Sequence, residues 1–408
     1  MSSLERTEQT ALVLSGGGAR GAYAVGVVCG IHELLGGLRS RFQTFTGTSV
    51  GAINAAYFAA NARCDDLGVA RLQTHYEQLR LNTHLRPSVA GWLRFIHPRS
   101  PLTVSQRNRR GAWLLDPSPF ERIVTESISW NSLHENIASG LVRALIVSGL
   151  RVADGRTTTF AELAPGTHFT RSRDPRRDAT TVKITAEHVL ASAALPFLFP
   201  ARRIGEHDYC DGGLRFNTPI APAIRTGATR LVVIALRSGM PPELNREASS
   251  TVEHLKNPFF LLGKVFDALL LDPIEYDLHV LERLNRIVGI VHETMPHEAI
   301  QKLEHVLASD RGLPYGHLDT LVFRPSEDLG VLAGECVRSR DAQLRESFAA
   351  RLILRHAAEF GHHVEADLVS YLLFDGEFSR RLIELGRKDA LRRADEVHAF
   401  FDRPRGTD

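Results

Sequence analysis

The chain of 408 residues is 43% hydrophobic and 24% charged, and 49 Lys and Arg against 47 Asp and Glu leave a net charge of +2. That balance belongs to an ordinary globular chain, which excludes a mainly disordered one, and the near-neutral charge excludes the single-sign field of a dedicated nucleic-acid binder. At about 150 residues per domain the length suits two or three domains, or one large α/β unit with helical additions.

The N-terminus MSSLERTEQT carries mixed charge, and the apolar run Ala11–Leu14 is too short for a signal-peptide core. A cytoplasmic or peripheral membrane location is therefore expected. Thr10–Leu14 predicts a short strand, Ser15–Gly21 a glycine loop, and Ala22–Leu35 a helix that is apolar nearly all round and stops at Gly36-Gly37. Phe42–Thr46 predicts a second strand and Val50–Ala62 a second helix. Strand, helix, strand, helix in that order implies a parallel sheet. The longest uncharged stretch, Phe42–Ala62, is broken by Gly, Thr, Ser and Asn and is no membrane span. Further strands are expected at Leu141–Ser148, Leu231–Leu236 and Leu318–Phe323, with a solvated charged loop at Arg171–Asp178. Long helical segments begin near Thr251, Phe259–Leu271 among them, and residues 341–400 are helical again. The expected division is a core over 9–237, a mainly helical extension with a returning strand over 238–330, and a helical region over 331–408. Cys29, Cys64, Cys210 and Cys336 form no CxxC pair and are expected as buried thiols of a reducing compartment.

Gly16-Gly17-Gly18-Ala19-Arg20-Gly21 fits GxGxxG between a strand and a helix, the context of a dinucleotide-binding turn. Such a site needs an acidic residue about 20 positions later. The chain has Arg39-Ser-Arg-Phe-Gln-Thr-Phe-Thr46 there, which disfavours a Rossmann-type cofactor enzyme. The same loop can instead aim successive amides at an anion, either a phosphate or the negative oxygen of a tetrahedral acyl intermediate, or it can be a plain tight turn.

Gly47-Thr48-Ser49-Val50-Gly51 is a GxSxG at an expected strand end just before an expected helix. A nucleophile on so sharp a turn needs small residues two positions to either side, which Gly47 and Gly51 are. The alternative is a serine that merely caps the helix. In a right-handed βαβ unit the two strand ends are neighbours, so the glycine loop and Ser49 converge at one sheet edge. A hydroxyl beside an anion cradle points to acyl transfer. Ser49 also needs a proton acceptor. None of the 18 histidines sits in a local catalytic pattern, whereas Asp211 precedes Gly212-Gly213, which let the chain turn and aim a carboxylate across the edge.

Gly16-Gly-Gly-Ala-Arg-Gly21, Gly47-Thr-Ser-Val-Gly51 and Asp211-Gly-Gly213, in that order, resemble the patatin-like phospholipase family. The likeness extends to Ala191-Ser-Ala-Ala-Leu-Pro196 and Asn217-Thr-Pro219, and more loosely to Phe323–Gly330. It implies an α/β fold of three layers with a mostly parallel sheet flanked by helices, and a lipid acyl hydrolase with a Ser–Asp dyad and no histidine, metal or cofactor. By the same resemblance Ser49 is the nucleophile, Asp211 the general base, and the backbone of Gly16, Gly17 and Gly18 the oxyanion hole. Ala19, Arg20, Gly21, Gly47, Gly51, Gly212 and Gly213 support these motifs.

A free carboxylate, with a pKa near 3.9, is a weak base; burial would raise that pKa and strengthen it. Arg20 can answer a lipid phosphate or tie the loop to a carboxylate. The implied partner is a membrane or micellar phospholipid surface met peripherally, with no nucleic acid. Trp92–Ile96 with Arg99, Arg107, Arg109 and Arg110 has the composition of an interfacial segment or of an ordinary cap, and Phe259–Leu271 can line an acyl pocket or stand as a satellite helix. His292 and His297 are five apart with Pro296 between them, which is unsuited to a zinc helix. A lipid-binding protein on a catalytically spent scaffold remains the further alternative.

Overall fold

The computed structural model describes residues 9–80, 115–215, 217–238, 272–311, 316–339 and 367–402, together with positions 83, 86, 87 and 265. Nine strands form one sheet: β1 (Thr10–Leu14), β2 (Thr44–Thr48), β3 (Ala144–Arg151), β4 (Thr157–Leu163), β5 (Arg177–Thr181), β6 (Arg202–Ile204), β7 (His207–Asp211), β8 (Arg230–Ile234) and β9 (Asp319–Phe323). Their order is β9, β8, β1, β2, β3, β4, β5, with β7 added to β3 and β6 to β7. The centre from β9 to β3 is parallel, and the antiparallel pairs all involve β3 or β7. β1 and β8 are buried along their whole length and apolar after their first residues, Thr10 and Arg230, as central parallel strands covered on both faces must be.

The helices are α1 (Ala22–Leu35), α2 (Val50–Ala60), α3 (Val69–Glu77), α4 (Ser118–Ser127), α5 (Trp130–Ala138), α6 (Ala186–Ser192), α7 (Ile220–Arg225), α8 (Asp272–Thr294), α9 (His297–Arg311), α10 (Leu329–Arg338), α11 (Asp367–Leu372), α12 (Gly376–Leu391) and α13 (Ala394–Asp402). The all-round apolarity of α1 has a direct cause, since α12 covers the side that the rest of the core leaves open. The two backbones touch: a Cβ on Gly26 would lie 2.0 Å from the Ile383 carbonyl oxygen, and one on Gly386 would lie 2.3 Å from that of Tyr23. Polar ties lock the crossing, with Tyr23 Oη donating to Asp389 Oδ2 at 3.0 Å and Arg387 Nη2 donating to Glu33 Oε2 at 2.8 Å. Gly36 ends α1 in the left-handed region (φ 66°), where its amide donates to the His32 carbonyl.

Several boundaries differ from expectation. β2 starts two residues later than expected because its pairing with β1 begins at Ala11↔Thr44, while Phe42 turns aside to pack edge-on against Phe401. α2 stops at Ala60 rather than Ala62. β3 begins at Ala144 and continues past Ser148 because β4 and β7 give its last residues antiparallel partners. β8 ends at Ile234, opposite the last residue of β1. Arg171–Asp178 is not wholly a loop, since Arg177–Thr181 pairs with Thr157–Ala161 as a mostly exposed edge strand. All four cysteines are free thiols, of which Cys210 and Cys336 are buried and Cys29 and Cys64 half-buried. Trp92–Ile96 with Arg99, Arg107, Arg109 and Arg110, the run Phe259–Leu271 apart from an exposed Val265, and residues 341–366 lie outside the described residues.

One register detail positions the site. β2 runs parallel to β3 and stops at Thr48↔Ser148, and the very next position of β3, Gly149, pairs with Asp211 at the end of β7. β4 occupies the other edge of β3 over Ala144–Leu150, so β7 enters on the edge that β2 has just left. The ends of β2 and β7 therefore meet head-on.

Candidate active site

Ser49 stands at that junction, between β2 and α2, with φ 57° and ψ −130°. A non-glycine residue rarely holds such a backbone, which costs about 1–3 kcal/mol and needs surroundings that enforce it. The enforcement is steric and polar. A Cβ on Gly47 would lie 2.1 Å from the Gly51 carbonyl oxygen, and one on Gly51 would lie 2.3 Å from that of Leu14. The Ser49 amide donates to Ser192 Oγ at 3.0 Å, and the Ser192 hydroxyl donates in turn to the Ser148 carbonyl at 2.6 Å. Ser192, at the end of α6, thus braces the elbow against β3.

Ser49 Oγ donates to Asp211 Oδ2 at 2.6 Å, a short charge-assisted contact across 162 positions of chain. Asp211 is fully buried, and its Oδ1 accepts the Gly213 amide at 2.7 Å. Burial pushes its pKa from 3.8 up to about 7, against the opposite pull of the Ser49 and Gly213 hydrogen bonds. Gly212 passes so close to β3 that a Cβ would sit 2.4 Å from the Ser148 carbonyl oxygen. Among the described residues no histidine ring hydrogen-bonds to Ser49 or Asp211. His188, on the helix that carries Ser192, bonds to Thr185 in a capping box.

The glycine loop lies against the same serine, with the position of a Gly16 Cβ only 2.9 Å from Ser49 Cβ. Asn217 holds the loop at two points, its Nδ2 donating to the Gly16 carbonyl at 3.0 Å and its carbonyl accepting the Gly16 amide at 3.3 Å. Ser15 Oγ and Thr218 Oγ1 share a further hydrogen bond of 2.8 Å. Of the three amides expected to face an anion, that of Gly16 is thus already engaged. Gly18 takes φ 57° and opens the short 3-10 turn Gly18–Gly21, in which Ala19 and Arg20 are buried and Gly21 abuts Val50.

Arg20 is directed inward. Its Nε donates to Ser370 Oγ at 2.6 Å, and its guanidinium lies 4.1 Å above the Tyr371 ring. α11 thereby closes over the loop, with the Tyr371 carbonyl oxygen 2.2 Å from where a Gly18 Cβ would be. A narrow, mostly apolar cleft opens beside Ser49, lined by Gly18, Val50, Ile53, Ala193, Leu195, Phe199, Tyr371, Leu372 and Phe374. Sequence reading quoted Ser192 and Asn217 without giving either a role, although an Asn-Thr-Pro turn is a visible signal. It missed Tyr371, Leu372 and Phe374, which no local pattern ties to a serine over 320 positions away. His292 lies in the last turn of α8 and His297 starts α9 beyond Pro296, and no cluster of metal-ligating side chains occurs among the described residues.

No curated protein matches the chain by sequence. Among solved structures, VipD from Legionella pneumophila is 12% identical, with 96% of this chain and 67% of that chain covered and a TM-score of 0.36. Human GIVD cytosolic phospholipase A2, solved with methyl gamma-linolenyl fluorophosphonate, is 14% identical at a TM-score of 0.41; 98% of this chain is covered, and it spans 59% of the human chain. ExoU of the Pseudomonas aeruginosa type III secretion system, solved with SpcU, is 14% identical, with coverages of 90% and 70% and a TM-score of 0.28. The sequence model described as Patatin-like phospholipase matches residues 12–224, a span that runs from β1 through the glycine loop, the Ser49 elbow and β7 to α7. With more than half of its length in that match, the chain belongs to the patatin-like phospholipase family.

Proposed function

We propose that the chain cleaves a carboxylic ester of a phospholipid or related acyl lipid through an acyl-enzyme on Ser49. Asp211 takes the Ser49 proton as Oγ attacks the ester carbonyl. The resulting oxyanion is met by the amides of Gly17 and Gly18, which extend from a loop braced by Asn217. Asp211 then gives the proton to the departing alcohol, and a water molecule repeats the sequence on the acyl-enzyme to release the fatty acid. The observation that carries this reading is the 2.6 Å contact between Ser49 Oγ and a fully buried Asp211.

The chemistry supports the pairing. An Asp at 3.8 holds a serine proton poorly, and a pKa near 7 narrows that mismatch while leaving the group ionised at mildly alkaline pH. Proximity supplies the rest, since the base is already in hydrogen-bonding contact with the proton it must take. The side chains that line the cleft beside Ser49 are mostly apolar, which is the chemistry an acyl chain calls for. No helix among the described residues is long and apolar enough to cross a membrane, and contact with the lipid surface is proposed to be peripheral. Neither step calls on a metal.

A serine-directed fluorophosphonate probe tests the proposal. Labelling of the wild type but not of Ser49→Ala, with fatty acid among the mass-spectrometric products from a mixed lipid extract, is the expected result. A wild type that neither labels nor releases fatty acid rejects it.

A further inference from the structure

The turn after α6 carries a side chain that the fold does not use. Phe197 is 69% exposed and holds φ 68°, in the left-handed region that bulky residues avoid. A lone exposed apolar residue needs no explanation. This one combines exposure with an unfavourable backbone in a turn that is otherwise firmly held. The Leu195 carbonyl accepts the amides of Leu198 at 3.2 Å and Phe199 at 2.9 Å, and the Leu198 carbonyl accepts that of Leu115 at 3.1 Å. Pro196 and Pro200 further restrict the turn. The ring is therefore presented in a fixed place.

That place is the rim of the Ser49 cleft. Leu195 and Phe199 line the cleft, and the chain between them swings outward to display Phe197. A surface that receives the ring is brought against the opening through which an acyl chain would reach Ser49. A protein partner would need a pocket shaped for one ring, whereas a lipid layer accepts it without one. We propose that Phe197 inserts among the lipids of a phospholipid surface and seats the mouth of the cleft upon it; this rests on reading Ser49 as the nucleophile of a lipid acyl hydrolase.

The test uses the full chain with two substitutions at this position. In a Ser49→Ala background, Phe197→Trp is mixed with phosphatidylcholine–phosphatidylglycerol vesicles, and its emission is compared with that of the same background carrying Phe197 and the three native tryptophans. A blue shift and quenching by brominated lipid, both specific to the new tryptophan, are expected. In the active enzyme, Phe197→Gly relieves the left-handed backbone, so its Tm should be no lower than that of the wild type. Its kcat/KM on a water-soluble short-chain ester should stay within about two-fold, while vesicle hydrolysis falls about ten-fold, the scale of one aromatic ring withdrawn from an apolar surface.

Absence of any spectral response at a vesicle concentration that the wild type hydrolyses overturns the proposal. So does an equal loss on both substrates, which makes Phe197 part of the acyl pocket, or a blue shift that follows protein concentration without lipid, which makes the turn a contact between copies. A blue shift on vesicles from a chain whose wild type cleaves neither substrate keeps the docking and rejects the hydrolase reading instead.

Discussion

Two helical regions outside the family match have similar amphipathic sequences and different fates. In α11 and α12, Tyr371, Phe378 and Leu382 are buried, and the segment walls the Ser49 cleft while crossing α1 at backbone contact. In the α8–α9 pair, Leu278 and Leu281 join the core near the start, but Tyr276 is 69%, Ile290 53% and Val306 54% exposed. Asn285 ties α8 to the entry of β9 through two hydrogen bonds with the Leu318 backbone. The difference teaches that an apolar stripe says only that a helix has something to cover. What covers it depends on a partner of matching shape, here the small residues Gly26 and Gly386 that admit a second backbone.

The most severe way to test the locked region is at its centre. Ser49→Ala and Asp211→Asn are each expected to lower kcat by on the order of 10⁴-fold or more with the fold intact, measured as fatty-acid release alongside circular dichroism. Full activity in the Asp211 variant would mean that another group takes the proton. Next comes packing: Phe378→Ala, on the buried side of α12, should cost about 3–5 kcal/mol in denaturant unfolding, because it opens a cavity in a fully buried layer. A loss under 1 kcal/mol would show that α12 rests on the core without being part of it.

The buried carboxylate predicts a third effect of a few kcal/mol with a definite sign. Because its folded pKa is raised, the native protein keeps a proton on Asp211 that the unfolded chain releases near pH 3.8. Below that pH the group costs nothing, the wild type loses stability as pH rises toward about 7, and the cost is constant above. Asp211→Asn should therefore gain in Tm over the wild type across that window and hold the gain at higher pH. The activity of the wild type should rise through the same region, since the ionised form is the base. A Tm difference that shrinks with rising pH would contradict the burial argument. The smallest effect belongs to the other region, where Ile290→Ser should change stability by no more than about 0.5 kcal/mol. A cost of several kcal/mol there would erase the contrast between the two helical regions.

Much of the parallel centre was legible because local patterns coincide with global constraints there. Thr10–Leu14 and Ala22–Leu35 are largely apolar segments, the second with a glycine stop, and the observed bounds are the expected ones. The GxSxG could be read because a sharp strand-to-helix turn excludes side chains at Gly47 and Gly51. The rim of the sheet was harder. β5, β6 and β7 are short and carry Arg177, Arg203 and Asp208 on exposed faces, so they lack the apolar run or strict alternation that marks a strand from within.

The chain's own order of residues determined the ingredients of the site: a glycine turn, a serine between glycines and an aspartate before two more, each a local device whose geometry a few residues enforce. Tertiary structure alone decided their distances and surroundings. Asp211 meets Ser49 because β7 runs antiparallel into the edge of β3 that β2 has vacated, and the cleft gains Tyr371, Leu372 and Phe374 because α12 crosses α1. Such contacts between segments far apart in sequence arise from shape and register, which no short window of residues contains.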